Sequence, residues 1–220
     1  MEQTIDTIRG QLQDAGRYMI EKTLTWGNAG NISARTTTDN YLITASGTRL
    51  DELGDDDFVE CSIPADPGRI YPRRPSKETP MHQAIYENRP DVNAVIHAAP
   101  LYSTLIACSN VDIPSNLFVE TMYYLERIAR VPYHHPGSQS LGDAVRELAI
   151  SANILLLNNH GVLVFDTTLN EAMMGLQVLE TACQTLVLAR NAGITLNTLS
   201  PDVVQDFLDN SGYKPRRKWK

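Results

Sequence analysis

The sequence predicts one α/β domain, a sandwich whose sheet is at least partly antiparallel. Three observations carry this. Stripes of apolar residues at helical spacing alternate along the chain with short β-branched runs. Several of those runs are joined by turns too short for a helical crossover. No internal repeat, low-complexity tract or linker divides the 220 residues, a length one large domain can hold.

Ile8, Leu12, Ala15, Met19 and Ile20 recur with polar residues between them over residues 6–22, which makes the first element an amphipathic helix that needs a layer to cover. Residues 26–33, rich in Gly and Asn, read as a turn, and β-type segments follow at 41–44 and 58–61. Residues 78–86 return to helix. Asn88-Arg89-Pro90-Asp91 ends it ahead of a strand at 92–97 dense in β-branched and apolar residues. A helix at 101–108, a strand at 128–133 and, after Pro136-Gly137, a helix at 140–150 come next. Residues 154–157 and 162–165 form two buried strands meeting at the turn Asn158-Asn159-His160-Gly161. Ala172, Met173, Leu176, Leu179, Cys183 and Leu186 then share one face of a helix over 169–190, with Asn170 as its cap.

Composition excludes several classes of function. A net charge of −7 argues against nucleic acid, which is bound chiefly through accumulated Lys and Arg. The basic stretch 214–220 is set apart from a domain spanning 1–213 and read as a frayed, solvated terminus. Cys61, Cys108 and Cys183 are odd in number and lack CxxC spacing, so they are packing residues rather than a disulfide framework or zinc ribbon. No unbroken apolar run approaches the ~20 residues of a membrane span, and the N-terminus lacks the basic start and apolar stretch of a secretory signal. The expectation is a cytoplasmic protein with no membrane partner.

His97 and His160 fall at the ends of strongly apolar strands, where rigid neighbours aim a side chain. Each alone is as readily a hydrogen-bonded strand-end histidine. With a carboxylate they become candidate ligands, because neutral imidazole suits Zn²⁺ and a catalytic site keeps one position open. Glu78 follows Arg73-Arg74-Pro75-Ser76-Lys77 at a helix start, a place that attracts anions such as phosphate. The turns at 27–31 and 44–47 are further small-residue loops able to cradle phosphate, and each is equally an ordinary turn.

The motifs Gly27-Asn28-Ala29-Gly30-Asn31-Ile32-Ser33, Ile43-Thr44-Ala45-Ser46-Gly47, Pro75-Ser76-Lys77-Glu78, Val95-Ile96-His97 with Pro100, and the segment ending in His160-Gly161 occur in one order. In that order they resemble the class II aldolase and adducin-head family over about residues 5–190. The resemblance implies a three-layer α/β/α sandwich with a central, largely antiparallel mixed sheet. It also implies a homotetramer with sites at subunit interfaces. It further implies a metal-dependent aldolase that cleaves a phosphorylated ketose, of the fuculose-phosphate or 5-deoxyribulose-phosphate kind, to a three-carbon ketone phosphate and an aldehyde via an enediolate. Epimerisation, decarboxylation, dehydration or a non-catalytic adducin-like binding role are the alternatives on the same scaffold. By the same resemblance Glu78 is the proton-moving residue, His97, His160 and Glu78 hold Zn or another divalent metal such as Mn, Co or Fe, and Asn31, Ser46, Gly47, Ser76 and Lys77 bind the substrate phosphate.

Two departures stand out. Where the family carries a second histidine two residues after the first, this chain has Ala99, which cannot ligate. An inactivated variant, a diverged activity or a substitute donor from His134-His135 are all open. Where several aldolases place a proton-donating tyrosine, the chain has Phe118, so Tyr123, Tyr124, Tyr133 or the paired histidines are the remaining candidates.

Overall fold

The computed structural model describes residues 4–217 and 219; Lys218 and Lys220 of the basic stretch, and residues 1–3, lie outside the described residues. Helices α1 (Ile5–Glu21), α2 (Thr79–Asn88), α3 (Leu101–Ala107), α4 (Val119–Tyr124), α5 (Gln139–Leu148), α6 (Leu169–Ala192) and α7 (Pro201–Asn210) surround seven strands. These are β1 (Asn31–Thr37), β2 (Asn40–Thr44), β3 (Phe58–Ser62), β4 (Ala94–Ala98), β5 (Ile128–Val131), β6 (Ile154–Leu157) and β7 (Gly161–Asp166). They form one sheet in the order β3-β2-β1-β4-β7-β6-β5. Every neighbouring pair is antiparallel except β5 and β6, which are parallel. The sheet is thus the mixed, largely antiparallel one expected.

The period-2 alternation of the strands divides the core. Ile32 and Ala34 of β1, Ile96 of β4 and Val162 and Val164 of β7 face one layer, built from Ile8, Leu12 and Met19 of α1, Ile106 of α3, Tyr124 of α4 and Leu176, Leu179 and Cys183 of α6. Val95 of β4 and Leu163 and Phe165 of β7 face the other, where Met81, Ile85 and Tyr86 of α2 and Leu141 and Val145 of α5 pack. Both central strands are buried along their whole length. Burial of an aliphatic side chain contributes roughly 1.5–3 kcal/mol, so these two layers supply the main drive to fold. α6 is long and apolar enough by composition to cross a membrane, but its apolar face is spent on this core.

Several expectations need correction. The 26–33 segment is a turn only as far as Gly30; Asn31 already starts β1, whose threonine-rich outer end hid it as a strand. α6 is capped by Thr168, not Asn170: Thr168 is extended and its hydroxyl accepts from Glu171 N–H, leaving Asn170 inside the first turn. Helices α4 and α7 were not expected at all. Cys61 and Cys183 are buried as packing residues, whereas Cys108 is exposed.

The basic terminal stretch is not frayed over its described part. Lys214 pairs with Glu171, Arg216 with Glu126 and Asp209, and Arg217 with Asp166 at the end of β7. Arg217 also lies 4.1 Å over the Tyr123 ring. The Arg217 and Asp166 side chains are only 10% and 8% exposed. Removing one partner leaves the other buried and uncompensated. Arg217→Ala should therefore lower unfolding free energy by about 3 kcal/mol in urea titration, whereas the exposed Arg17→Ala, which loses a surface pair with Asp14, should change it by less than about 1 kcal/mol.

Candidate metal centre

Two glycines set the geometry. Gly30 enters β1 with φ +86°, and a Cβ there would stand 2.8 Å from the His97 carbonyl oxygen. That close approach lets Asn31 register directly opposite His97 across β1 and β4. At the β6–β7 turn, a Cβ on Gly161 would stand 2.5 Å from the Ala98 carbonyl oxygen. Only glycine lets this turn press against the end of β4, and it carries His160 to a ring-centroid distance of 4.8 Å from His97. From the other side Glu78, the residue capping the start of α2, reaches in.

Glu78 Oε2 lies 3.2 Å from His97 Nε2, and Oε1 lies 3.0 Å from His160 Nε2. Among the described residues, this trio is the one group of three or more His, Cys, Asp or Glu whose ligand atoms converge, all within 4.8 Å of one another. By hydrogen-bond geometry Glu78 Oε1 and His160 Nδ1 are buried without a well-aligned partner. His97 Nδ1 is 3.0 Å from the Val162 carbonyl oxygen and must carry the proton to donate to it, which leaves Nε2 a bare lone pair. The His97 Nε2 lone pair and the Glu78 carboxylate thus face one another with His160 Nε2 beside them. That donor set fits a cation, with Ala99 offering nothing further.

Electrostatics follow from the burial. Burial acts to raise the Glu78 pKa, but the neighbouring His97 and His160 rings and the Asn31 amide together outweigh it and bring it down to about 2. Burial lowers the His97 pKa against the pull of Glu78, so the ring is neutral at pH 7. His82, fully buried, has its pKa lowered to about 3, chiefly by burial and then by His97.

Of the residues predicted to grip phosphate, Ser46, Gly47 and Ser76 come together. A bridge pairs Ala45 with Pro75, Ser46 N–H donates to the Arg74 carbonyl and Ser76 N–H to the Thr44 carbonyl. Lys77 is exposed beside them, and the Ser76 hydroxyl accepts from Glu78 N–H, tying this turn to the carboxylate. Asn31 is engaged differently: its amide spans Glu78 Oε2 at 2.8 Å and His82 Nε2 at 2.6 Å. His134 and His135 contribute no ligand to the trio, though their loop touches the site's edge, Gly137 lying against the Lys77 backbone. Phe118 packs into the α1–α6 layer. Tyr124 is bonded to Glu171, and Tyr123 lies under Arg217.

Sequence reasoning missed His82, Ser33 and Tyr86. The signal was present: Glu78, His82 and Tyr86 are spaced by four, one face of a helix, and Ser33 shares the inward parity of Asn31.

Residues 10–187 match the Class II Aldolase and Adducin N-terminal domain. The 5-methylthioribulose-1-phosphate/5-deoxyribulose-1-phosphate aldolase of Escherichia coli O45:K1 is 35% identical over 159 residues, 71% of this chain and 72% of that protein. The 3-oxo-tetronate 4-phosphate decarboxylase of Haemophilus influenzae is 31% identical over 170 residues, 75% and 80% of the two chains. Among solved structures, YgbL of Klebsiella pneumoniae, described as an aldolase/epimerase/decarboxylase, aligns with a TM-score of 0.82 and 27% identity, over 93% of this chain and 99% of its own.

The depressed pKa values predict acid sensitivity. Unfolded His82 binds a proton below about 6.5 while the folded form resists until about 3, so its contribution is complete above about 6.5 and is lost as pH falls through that window. Glu78 acts in the same sense, between its ordinary 4.5 and about 2. In chelator-treated protein, unfolding free energy from urea titration should drop by about 2 kcal/mol between pH 7 and pH 5, and less in His82→Gln.

Proposed function

This chain belongs to the class II aldolase and adducin family, and from that premise we propose that it is a divalent-metal-dependent carbon–carbon lyase acting on a phosphorylated hydroxy-keto substrate. The convergence of two imidazoles and a carboxylate around Glu78 Oε1, which has no hydrogen-bond partner, is the observation that carries this reading. His97, His160 and Glu78 are the residues to hold the metal, Zn²⁺ being the first candidate. When bound, such a cation supplies a Lewis acid toward the hydroxyl and ketone oxygens of the substrate.

The chain's own groups do the rest. Ser46, Gly47, Ser76 and Lys77 take the phosphate, fixing the substrate at one end so that its reacting carbon meets Glu78. Asn31 steadies Glu78 Oε2, and Oε1 moves the proton at the carbon that becomes the enediolate. In aldol cleavage the hydroxyl of the departing fragment gives its proton to solvent water, the carbon–carbon bond breaks to give the aldehyde, and the electron pair stays on the three-carbon ketone phosphate until Glu78, having taken up a proton from solvent, delivers it to that carbon, so one proton is released and one returned.

A second reading is decarboxylation of a phosphorylated 3-keto acid. Carbon dioxide departs from an ionised carboxylate without a base on the leaving side. That suits a chain in which Phe118 has no proton to give and Tyr123 and Tyr124 are engaged elsewhere, leaving only Tyr133 and the paired histidines of the exposed loop as candidate donors. The 31% identity to a decarboxylase supports it as much as the identity to aldolases supports the first.

The homotetramer with interfacial sites belongs to the same proposal. Leu101 and Leu105, four apart on α3 just beyond the His97 strand, are 69% and 50% exposed, an apolar helix face that suits a subunit contact. Sedimentation as a monomer at micromolar concentration overturns that part.

The test supplies 5-deoxyribulose 1-phosphate, fuculose 1-phosphate and 3-oxo-tetronate 4-phosphate separately to protein reconstituted with Zn²⁺ or Mn²⁺, with products identified by mass. At least one should turn over, Glu78→Gln should lose at least about 100-fold in kcat, and Ala99→His should tighten Zn²⁺ binding by about tenfold. No metal on elemental analysis, together with no turnover by wild type or Ala99→His, would sink the enzyme and leave a binding protein on the same scaffold.

A further inference from the structure

Between α2 and β1 runs a buried chain of hydrogen bonds whose direction is fixed by its chemistry. Glu78 Oε2 is a carboxylate oxygen and only accepts, so Asn31 turns its Nδ2 toward it at 2.8 Å. The other end of that amide is then a carbonyl, 2.6 Å from His82 Nε2, which must carry the proton and donate. In a neutral ring Nδ1 is left with a lone pair and accepts from the Ser33 hydroxyl at 2.7 Å. Ser33 Oγ in turn accepts from the Tyr86 hydroxyl at 2.8 Å. Every link donates toward the carboxylate, so each polarises the next. His82, Ser33 and Tyr86 are fully or almost fully buried, leaving water no part in the sequence.

We propose that His82 is a positioning residue for Glu78: acting through Asn31, it anchors Oε2 and leaves Oε1 as the oxygen open to His160 and to substrate. The inference rests on the lyase reading, since it gives the free oxygen its task. Asn31 alone does not suffice, because an amide with an unsatisfied carbonyl can rotate by half a turn and present oxygen to the carboxylate, repelling it. His82 Nε2–H forbids that rotation, and the Ser33 hydroxyl satisfies Nδ1 in the same tautomer.

A purely structural network would suffer alike from any polar disturbance, so the test compares near-isosteres. In His82→Gln the side-chain amide reaches the place of Nε2 and can still donate to Asn31; in His82→Asn it reaches only the place of Nδ1. Zn²⁺ binding by calorimetry should weaken at least about tenfold more in His82→Asn than in His82→Gln, and the difference should vanish in an Asn31→Ala background. In the metal-free wild type, nitrogen-15 NMR of the imidazoles at pH 7 should show His82 as the neutral Nε2–H tautomer. Equal effects of the two substitutions, or an Nδ1–H tautomer, overturn the proposal. Should wild type fail to bind Zn²⁺ while the Nε2–H tautomer is seen, the metal reading fails and the positioning chain stands. If His82→Asn does not fold by circular dichroism, Asn31→Ala decides: with the acceptor of Nε2–H gone and the Ser33 hydroxyl able to accept as well as donate, the Nδ1–H tautomer should enter the spectrum, and an unchanged spectrum overturns the role given to the chain.

Discussion

The site depends on one constraint, the register of three central strands. β4 is held on both sides, by β1 with Asn31 opposite His97 and by β7 with Leu163 opposite His97. A slip of one residue on either side would turn His97 into the opposite helical layer and carry Asn31 or Gly161 out of reach. The buried apolar residues that alternate with the polar ones enforce the register: Ile32, Ile96, Val162 and Val164 have a place only in the layer of α1 and α6. Packing on one face of the sheet thereby aims the polar groups on the other.

The second layer of control is α2. Its N-cap residue supplies the carboxylate, and the next two turns of the same face supply His82 and Tyr86. The helix therefore brings the carboxylate and its support as one rigid piece, docked against a strand that carries the complementary Asn31 and Ser33. Burying this many polar groups is tolerated because His82, Ser33, Tyr86 and Asn31 all have partners; within this group the orphaned atoms are Glu78 Oε1 and His160 Nδ1.

The fold was legible in the sequence wherever a period was strong and bounded. Strand β6 was located residue for residue because four aliphatic residues stand between turn signals, and α1 and α6 to within a few residues because their stripes run for several turns. β1 was lost because its Gly/Asn entry looks like a turn, and α4 because six residues carry less than two turns of pattern. For the site, Glu78, His97 and His160 were legible from their positions at element ends. The internal chain through His82 was not, since a histidine in mid-helix has no turn or strand end to mark it, and its meaning depends on a strand 49 residues away along the chain.

Position 99 lies one residue beyond the last paired residue of β4, which ends at Ala98 opposite Val162. His97 is fastened by backbone pairing on both sides, whereas residue 99 is fastened by neither ladder. The strand pairing that holds His97 is thus independent of what stands at 99, where the buried Ala99 is limited by packing and not by the ladder.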